Sequence, residues 1–172
     1  MILGAVLAGG QSSRFGSDKA LAALGGQTLL ARAIASLEAQ CDSVIVVGRG
    51  EVHDRPRPGM GPLGGINAAL HHAASRGYSE VLTCGVDCAG LAPQTRTDLS
   101  PAPAYVADQP VIGLWPASAA PALDVFLATD AKHSMRAFAE MIGARPVTLP
   151  TKTANINTRE DLASAQEHID GL

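Results

Sequence analysis

Aromatic residues are scarce in this 172-residue chain, which holds three Phe, two Tyr and one Trp, so its core must rest on Ala, Val, Leu and Ile. Charge is sparse as well: 13 Lys and Arg stand against 16 Asp and Glu, a formal net charge of -3. That balance supplies no basic field for holding a phosphate backbone non-specifically, which argues against a general nucleic-acid binder. Cysteine occurs three times, as Cys41, Cys84 and Cys88. An odd count, with no C-x-x-C pair and no histidines at ligand spacing, argues against a disulfide framework and against a structural zinc site. No apolar run approaches the roughly 18–20 residues that would cross a bilayer. The apolar opening from Met1 to Ala8 has no preceding Lys or Arg and soon meets Gly9 and Gly10, so it reads as a strand rather than a signal. A cytoplasmic protein without a membrane or nucleic-acid partner is expected. Hydrophobic residues still make up 47% of the chain, which excludes long disorder, and the length suits a single domain with a sizeable core.

Within that frame the apolar pattern alternates between two periods. Ile2 to Ala8 is nearly all apolar and bounded by glycines, the pattern of a central strand covered on both faces. Leu29, Leu30, Ala33, Ile34 and Leu37 recur at helical spacing behind Thr28, a candidate N-cap. Val44 to Val47 reads as a second strand, Pro62 to Ala74 as a helix with Pro62 in its first turn, and Val81 to Val86 as a third strand ending at Asp87. This βαβαβ succession predicts a single three-layer α/β domain with a mostly parallel, Rossmann-like doubly wound sheet. Beyond Pro93, prolines punctuate short strand candidates at Ala104 to Ala107 and Val111 to Leu114, which suggests an antiparallel edge addition. Helices are expected around Leu123 to Ala128 and Met135 to Met141, and a strand at Arg145 to Leu149. Thr158 with Asp161 should cap a final helix reaching about Ile169.

The chemistry concentrates after the predicted strands. Leu7-Ala8-Gly9-Gly10-Gln11-Ser12-Ser13-Arg14-Phe15-Gly16-Ser17-Asp18-Lys19 follows the first one. Backbone N–H groups without neighbouring Cβ atoms can approach an anion closely, and Arg14 and Lys19 add a planar fork and a point charge. A polyphosphate suits that loop, although the spacing fits neither the P-loop nor the dinucleotide fingerprint. An ordinary glycine turn with two solvated cations would read the same way. Asp87, at the carboxyl end of its strand, could hold a magnesium ion bridging nucleotide phosphates or could simply cap a turn. Parallel strands would bring it to the edge where the glycine loop lies. Gly59-Met60-Gly61-Pro62-Leu63-Gly64-Gly65, with Asp54 upstream, would permit close ligand approach to a helix start. Asn155 and Asn157 flank one residue, so an extended segment presents both amides to one side. His71 and His72 diverge on one helix and read as structural or solvated, and Cys84 and Cys88 as buried small hydrophobes.

Taken together, Leu-Ala-Gly-Gly-x-x-x-Arg-x-Gly-x-Asp-Lys at 7–19, Gly-Pro-Leu-Gly-Gly at 61–65, Asp87, and Asn-x-Asn-Thr at 155–158 resemble the MobA-like nucleotidyltransferases, and within them the molybdenum cofactor guanylyltransferases. The resemblance implies transfer of GMP from GTP to the terminal phosphate of molybdenum-bearing molybdopterin, with magnesium as cofactor and pyrophosphate released. It implies that Leu7, Ala8, Gly9, Gly10, Lys19, Asp54 and Asp87 bind the nucleotide, and that Arg14, Lys19 and Asp87 serve catalysis. Asp87 would also hold the metal, while Asn155 and Asn157 would meet the acceptor. Molybdoenzymes or cofactor-handling proteins would be its protein partners. The sequence departs from the family pattern in three places: Phe15 replaces the common Met, Cys88-Ala89 replaces Thr-Pro, and Val46-Val47-Gly48 ends without an asparagine. A related cytidylyl- or sugar-type nucleotidyltransferase and a non-catalytic nucleotide-binding protein are the competing readings.

Overall fold

The computed structural model describes residues 1–9 and 18–170. In chain order its first half holds β1 (Ile2–Leu7), the short strands β2 (Ala23–Leu24) and β3 (Gln27–Thr28), α1 (Leu29–Glu38), β4 (Ser43–Val47), α2 (Pro62–Ser75) and β5 (Glu80–Gly85). There follow α3 (Thr95–Leu99), β6 (Ala104–Val106), β7 (Gln109–Pro116), α4 (Ala120–Leu127), α5 (Met135–Met141), β8 (Arg145–Val147) and α6 (Arg159–Asp170). Single 3-10 turns lie at Lys19–Leu21, Val86–Cys88 and Ala117–Ala119.

Six strands form one sheet in the order β4-β1-β5-β7-β6-β8. β1 runs parallel to β4 and β5, and β8 runs parallel to β6. The mostly parallel three-layer arrangement expected from the sequence is present, with one antiparallel strand, β7. That strand lies inside the sheet between β5 and β6, and β8 forms the rim. Pro110 and Pro116 suggested an edge, but they stand near the two ends of β7, and the four residues Ile112 to Trp115 between them are buried. A proline is tolerated where no neighbouring strand needs its missing N–H.

Both faces of the sheet are covered. Leu63, Ile66 and Leu70 of α2, Leu123 of α4 and Phe138 of α5 pack on one side against Leu3, Ala5 and Val81. Ala33 and Leu37 of α1 and Leu99 close the other side against Val6, Leu82 and Leu114. The aromatics among the described residues are concentrated in the first layer. Trp115 is fully buried, its ring centroid 5.6 Å from that of Phe138. Its indole N–H donates to Thr83 Oγ1 at 2.9 Å, and the Thr83 hydroxyl donates onward to the Val111 carbonyl at 2.6 Å. The polar end of the indole is thereby satisfied without water, as burial requires.

Helix starts follow the sequence signals. Thr28 Oγ1 accepts from the Ala31 N–H at 3.0 Å, and Pro62 opens α2. Thr158 Oγ1 accepts from the Asp161 N–H at 3.0 Å, while Asp161 Oδ2 accepts from the N–H groups of Asn157 and Thr158. Those two N–H donors hold the Asp161 carboxyl below its usual range. No helix among the described residues is long and apolar enough to cross a membrane.

Candidate active site

β1, β4 and β5 all end at one edge of the sheet, and the chain leaves β1 first towards β4 and then returns to β5 on its other side. Such a switch in winding direction opens a crevice outside the carboxyl ends of the strands. A cleft of about 840 Å³ lies there. Leu7, Ala8 and Gly9 line it from the end of β1, Val47 from β4, and Gly85, Val86 and Asp87 from β5. Lys19, Asp54, Pro62 and Gly65 also line it. Of the residues singled out in the sequence, Leu7, Ala8, Gly9, Lys19, Asp54 and Asp87 are therefore brought to one cavity. Gly10 and Arg14 lie outside the described residues.

The floor of the cleft depends on two backbones touching. Ala8 N–H donates to the Val47 carbonyl at 2.9 Å, and Gly48 N–H to the Val52 carbonyl at 2.8 Å. Gly48 has φ +91°, and a Cβ there would collide with the backbone of Gly9. Position 48 therefore has no room for a side chain. Gly48→Ala is expected to lower stability by roughly 3 kcal/mol, combining left-handed strain with overpacking. A fall in melting temperature of roughly 6–12 °C would register it; an unchanged melting temperature would contradict the contact.

Asp87 owes its position to the tight 3-10 turn after β5. Its carboxylate folds back over Gly85, where a Cβ would collide with Oδ1. Ala89, two residues on, adopts φ 54°. Proline cannot take that conformation, since its ring fixes φ near -65°, so Cys88-Ala89 in place of Thr-Pro goes with a different turn. Cys84 and Cys88 are buried among Val6, Leu82 and Leu91, as small hydrophobes should be.

The last motif reaches the same place. Ile156 N–H donates to the Asp87 carbonyl at 2.6 Å, and the Ile156 side chain is buried against Leu24 and Leu29. Asn155, exposed, and Asn157, half-buried, flank this anchor. Neither lines the cleft itself. Lys19 links the two sides: it lines the cleft, and its charge helps to lower the Asp161 carboxyl at the start of α6.

Asp54 stands opposite, over the first turn of α2. A Cβ on Gly64 would lie 3.3 Å from its Oδ2, and one on Gly65 3.6 Å from its Oδ1. Burial pushes the Asp54 carboxyl above its ordinary range. The two glycines thus make room for a partly desolvated carboxylate facing the cleft. Val111 and Asp18 also line the cavity. Val111 carries no sequence signal beyond an ordinary strand residue, whereas Asp18 sits within the first motif beside Lys19.

Residues 4–148 match the MobA-like NTP transferase domain family. The chain belongs to that family. It is therefore a nucleotidyltransferase, as the motifs implied. Over 99% of its length it is 34% identical to the molybdenum cofactor guanylyltransferase of Rhizobium leguminosarum bv. trifolii, 94% of which is covered. Among solved structures it resembles molybdopterin-guanine dinucleotide biosynthesis protein A of Archaeoglobus fulgidus, with TM-score 0.73, 21% identity and 100% of each chain covered. It also resembles the 4-diphosphocytidyl-2C-methyl-D-erythritol synthase of Anaerococcus prevotii, with TM-score 0.68, 12% identity and 98% of each chain covered. At those identities the two structures share its fold.

Proposed function

We propose that this protein transfers GMP from GTP to the terminal phosphate of molybdenum-bearing molybdopterin and releases pyrophosphate. One observation carries the reading: a single cleft gathers Lys19, Asp54 and Asp87, and the Asn155–Asn157 segment is clipped to Asp87 at its border. The name of the rhizobial relative supports the choice of guanylyl transfer and of the acceptor. In this reading an acceptor phosphate oxygen attacks the α-phosphorus of GTP in line as the bond to the β-phosphate breaks, and pyrophosphate carries the electron pair away. The attacking group is already an anion, so positioning and charge neutralisation suffice, without a strong general base.

Each residue then has a task. The glycine loop opened by Leu7, Ala8 and Gly9, including Gly10, cradles the nucleotide. Lys19, together with Arg14, neutralises the phosphates, and Asp54 meets the nucleoside. Asp87 would hold magnesium. The donor set fits that ion: Asp87 offers hard carboxylate oxygens in the cleft, with Asp54 lining the same cavity, and magnesium commonly takes one or two carboxylates with substrate phosphates and waters. When bound, it would stabilise charge on the triphosphate. A cytoplasmic location and hand-over to molybdoenzymes or cofactor-handling proteins belong to the same reading.

Base choice is the first test. CTP is the informative competitor, because a cytidylyl-type transferase is the competing reading. Thermal stabilisation measured with magnesium and GTP, CTP, ATP or UTP should be largest for GTP. A larger effect of CTP would favour the cytidylyl alternative.

Acceptor binding is tested separately. Asn155 and Asn157 offer donors and acceptors without charge, which suits orientation of a polar acceptor better than retention of a triphosphate. Asn157→Ala, and to a lesser degree Asn155→Ala, should leave GTP affinity within about threefold while lowering transfer to molybdopterin by roughly tenfold or more. Calorimetric GTP titration beside a transfer assay checks this, and a large loss of GTP affinity with normal acceptor use would overturn the assignment.

A further inference from the structure

Arg49 follows Gly48 at the end of β4, and its Nη2 donates to Asp18 Oδ1. Asp18 lines the cleft next to Lys19, while Arg49 itself does not line it and meets it through Asp18. The Arg49 side chain is 34% exposed and that of Asp18 43%. Arg49 Nε is nevertheless buried, and it has no hydrogen-bond partner among the described residues. A buried N–H without an acceptor is unfavourable. The pairing lowers the Asp18 carboxyl below its usual range, with the Arg49 hydrogen bond the largest cause. Among the described residues, a planar fork is thus engaged by one carboxylate, while its Nε meets no acceptor.

We propose that Arg49 is a phosphate-binding residue for whose guanidinium the Asp18 carboxylate and the triphosphate compete. The proposal rests on the cleft being a nucleotide site. A triphosphate carries more negative charge than one carboxylate and presents oxygens in pairs that match a guanidinium. Asp18 does not lose its other role in the exchange, because its Oδ1 also accepts from the Ala20 N–H at 3.3 Å and caps the turn that carries Lys19. The contrary account makes the pair a fixed clasp holding Lys19 in place.

The two accounts predict opposite signs for Asp18→Asn. Asparagine keeps the shape and is as good an N-cap as aspartate, but it loses the charge that competes for Arg49. Calorimetry on the full chain with inorganic tripolyphosphate and with GTP should show binding about 3–10-fold tighter in Asp18→Asn and at least about tenfold weaker in Arg49→Ala. Arg49→Lys should recover only part of the loss, since it restores charge without the fork. In an Arg49→Ala background, Asp18→Asn should have no further effect. Unchanged or weaker binding in Asp18→Asn would overturn the proposal. A gain that persists without Arg49 would also overturn it, because that is simple repulsion by Asp18, and so would failure of the wild-type chain to bind tripolyphosphate. Tripolyphosphate has no base, so its response bears on the phosphate contacts and not on base choice, whereas a preference for CTP over GTP would count against guanylyl transfer and leave Arg49 standing.

Discussion

Asp87→Asn is expected to lower magnesium-dependent transfer by about a thousandfold, the scale on which removing preorganised charge stabilisation acts. The amide has the shape of the carboxylate that folds over Gly85, so the turn can persist. Ile156 is anchored to the Asp87 backbone carbonyl rather than to its side chain, so the Asn155–Asn157 segment should stay in place as well. The loss should therefore fall on turnover, with the melting temperature close to wild type. Turnover measured at saturating magnesium provides the check. Near-wild-type turnover would show that the carboxylate charge is not what the reaction needs.

Lys19→Ala is expected to slow transfer by about 100–1000-fold, with a larger effect on kcat than on KM. Charge on the leaving phosphates grows as pyrophosphate departs, so a cation placed there stabilises the transition state more than the bound substrate. The side chain also contributes to the lowered Asp161 carboxyl, but the N–H groups of Asn157 and Thr158 contribute more. The start of α6 should therefore survive the substitution, and circular dichroism would confirm it. A variant with raised KM and unchanged kcat would make Lys19 a residue of uniform binding, with no preference for the transition state.

Much of this architecture is legible in the sequence because period and punctuation agree. Ile2 to Leu7 is apolar throughout because it lies between two parallel strands with helices over both faces. The ends of α1, α2 and α6 are legible because Thr28, Pro62 and the Thr158–Asp161 pair do local capping chemistry. The hairpin of β2 and β3 carries a signal too: Gly25 and Gly26, with φ +60° and +81°, form the two-residue turn that such glycines favour. Its strands are only two residues long, too short for alternation to register. The interior place of β7 is hidden by its flanking prolines, since which strand neighbours which is set by packing across the sheet and not by local pattern.

The site divides in the same way. Lys19 and Asp54 lie near glycine-rich segments and Asp87 follows a strand, so type and position single them out in the sequence, and the structure brings all three to one cleft. The clip from Ile156 to Asp87, the pairing of Arg49 with Asp18, and the contact of Gly48 with Gly9 join segments distant in sequence, and no periodicity encodes them. Val111 reaches the cleft only because β7 is paired against β5.

Product identity tests the central claim most directly. The full chain should be incubated with GTP, magnesium and molybdenum-bearing molybdopterin, and the products read by mass spectrometry. The expected products are the guanine dinucleotide form of the cofactor and an equimolar amount of pyrophosphate. Formation of a cytosine dinucleotide from CTP in preference, or no dinucleotide from either nucleotide, would contradict guanylyl transfer to this acceptor.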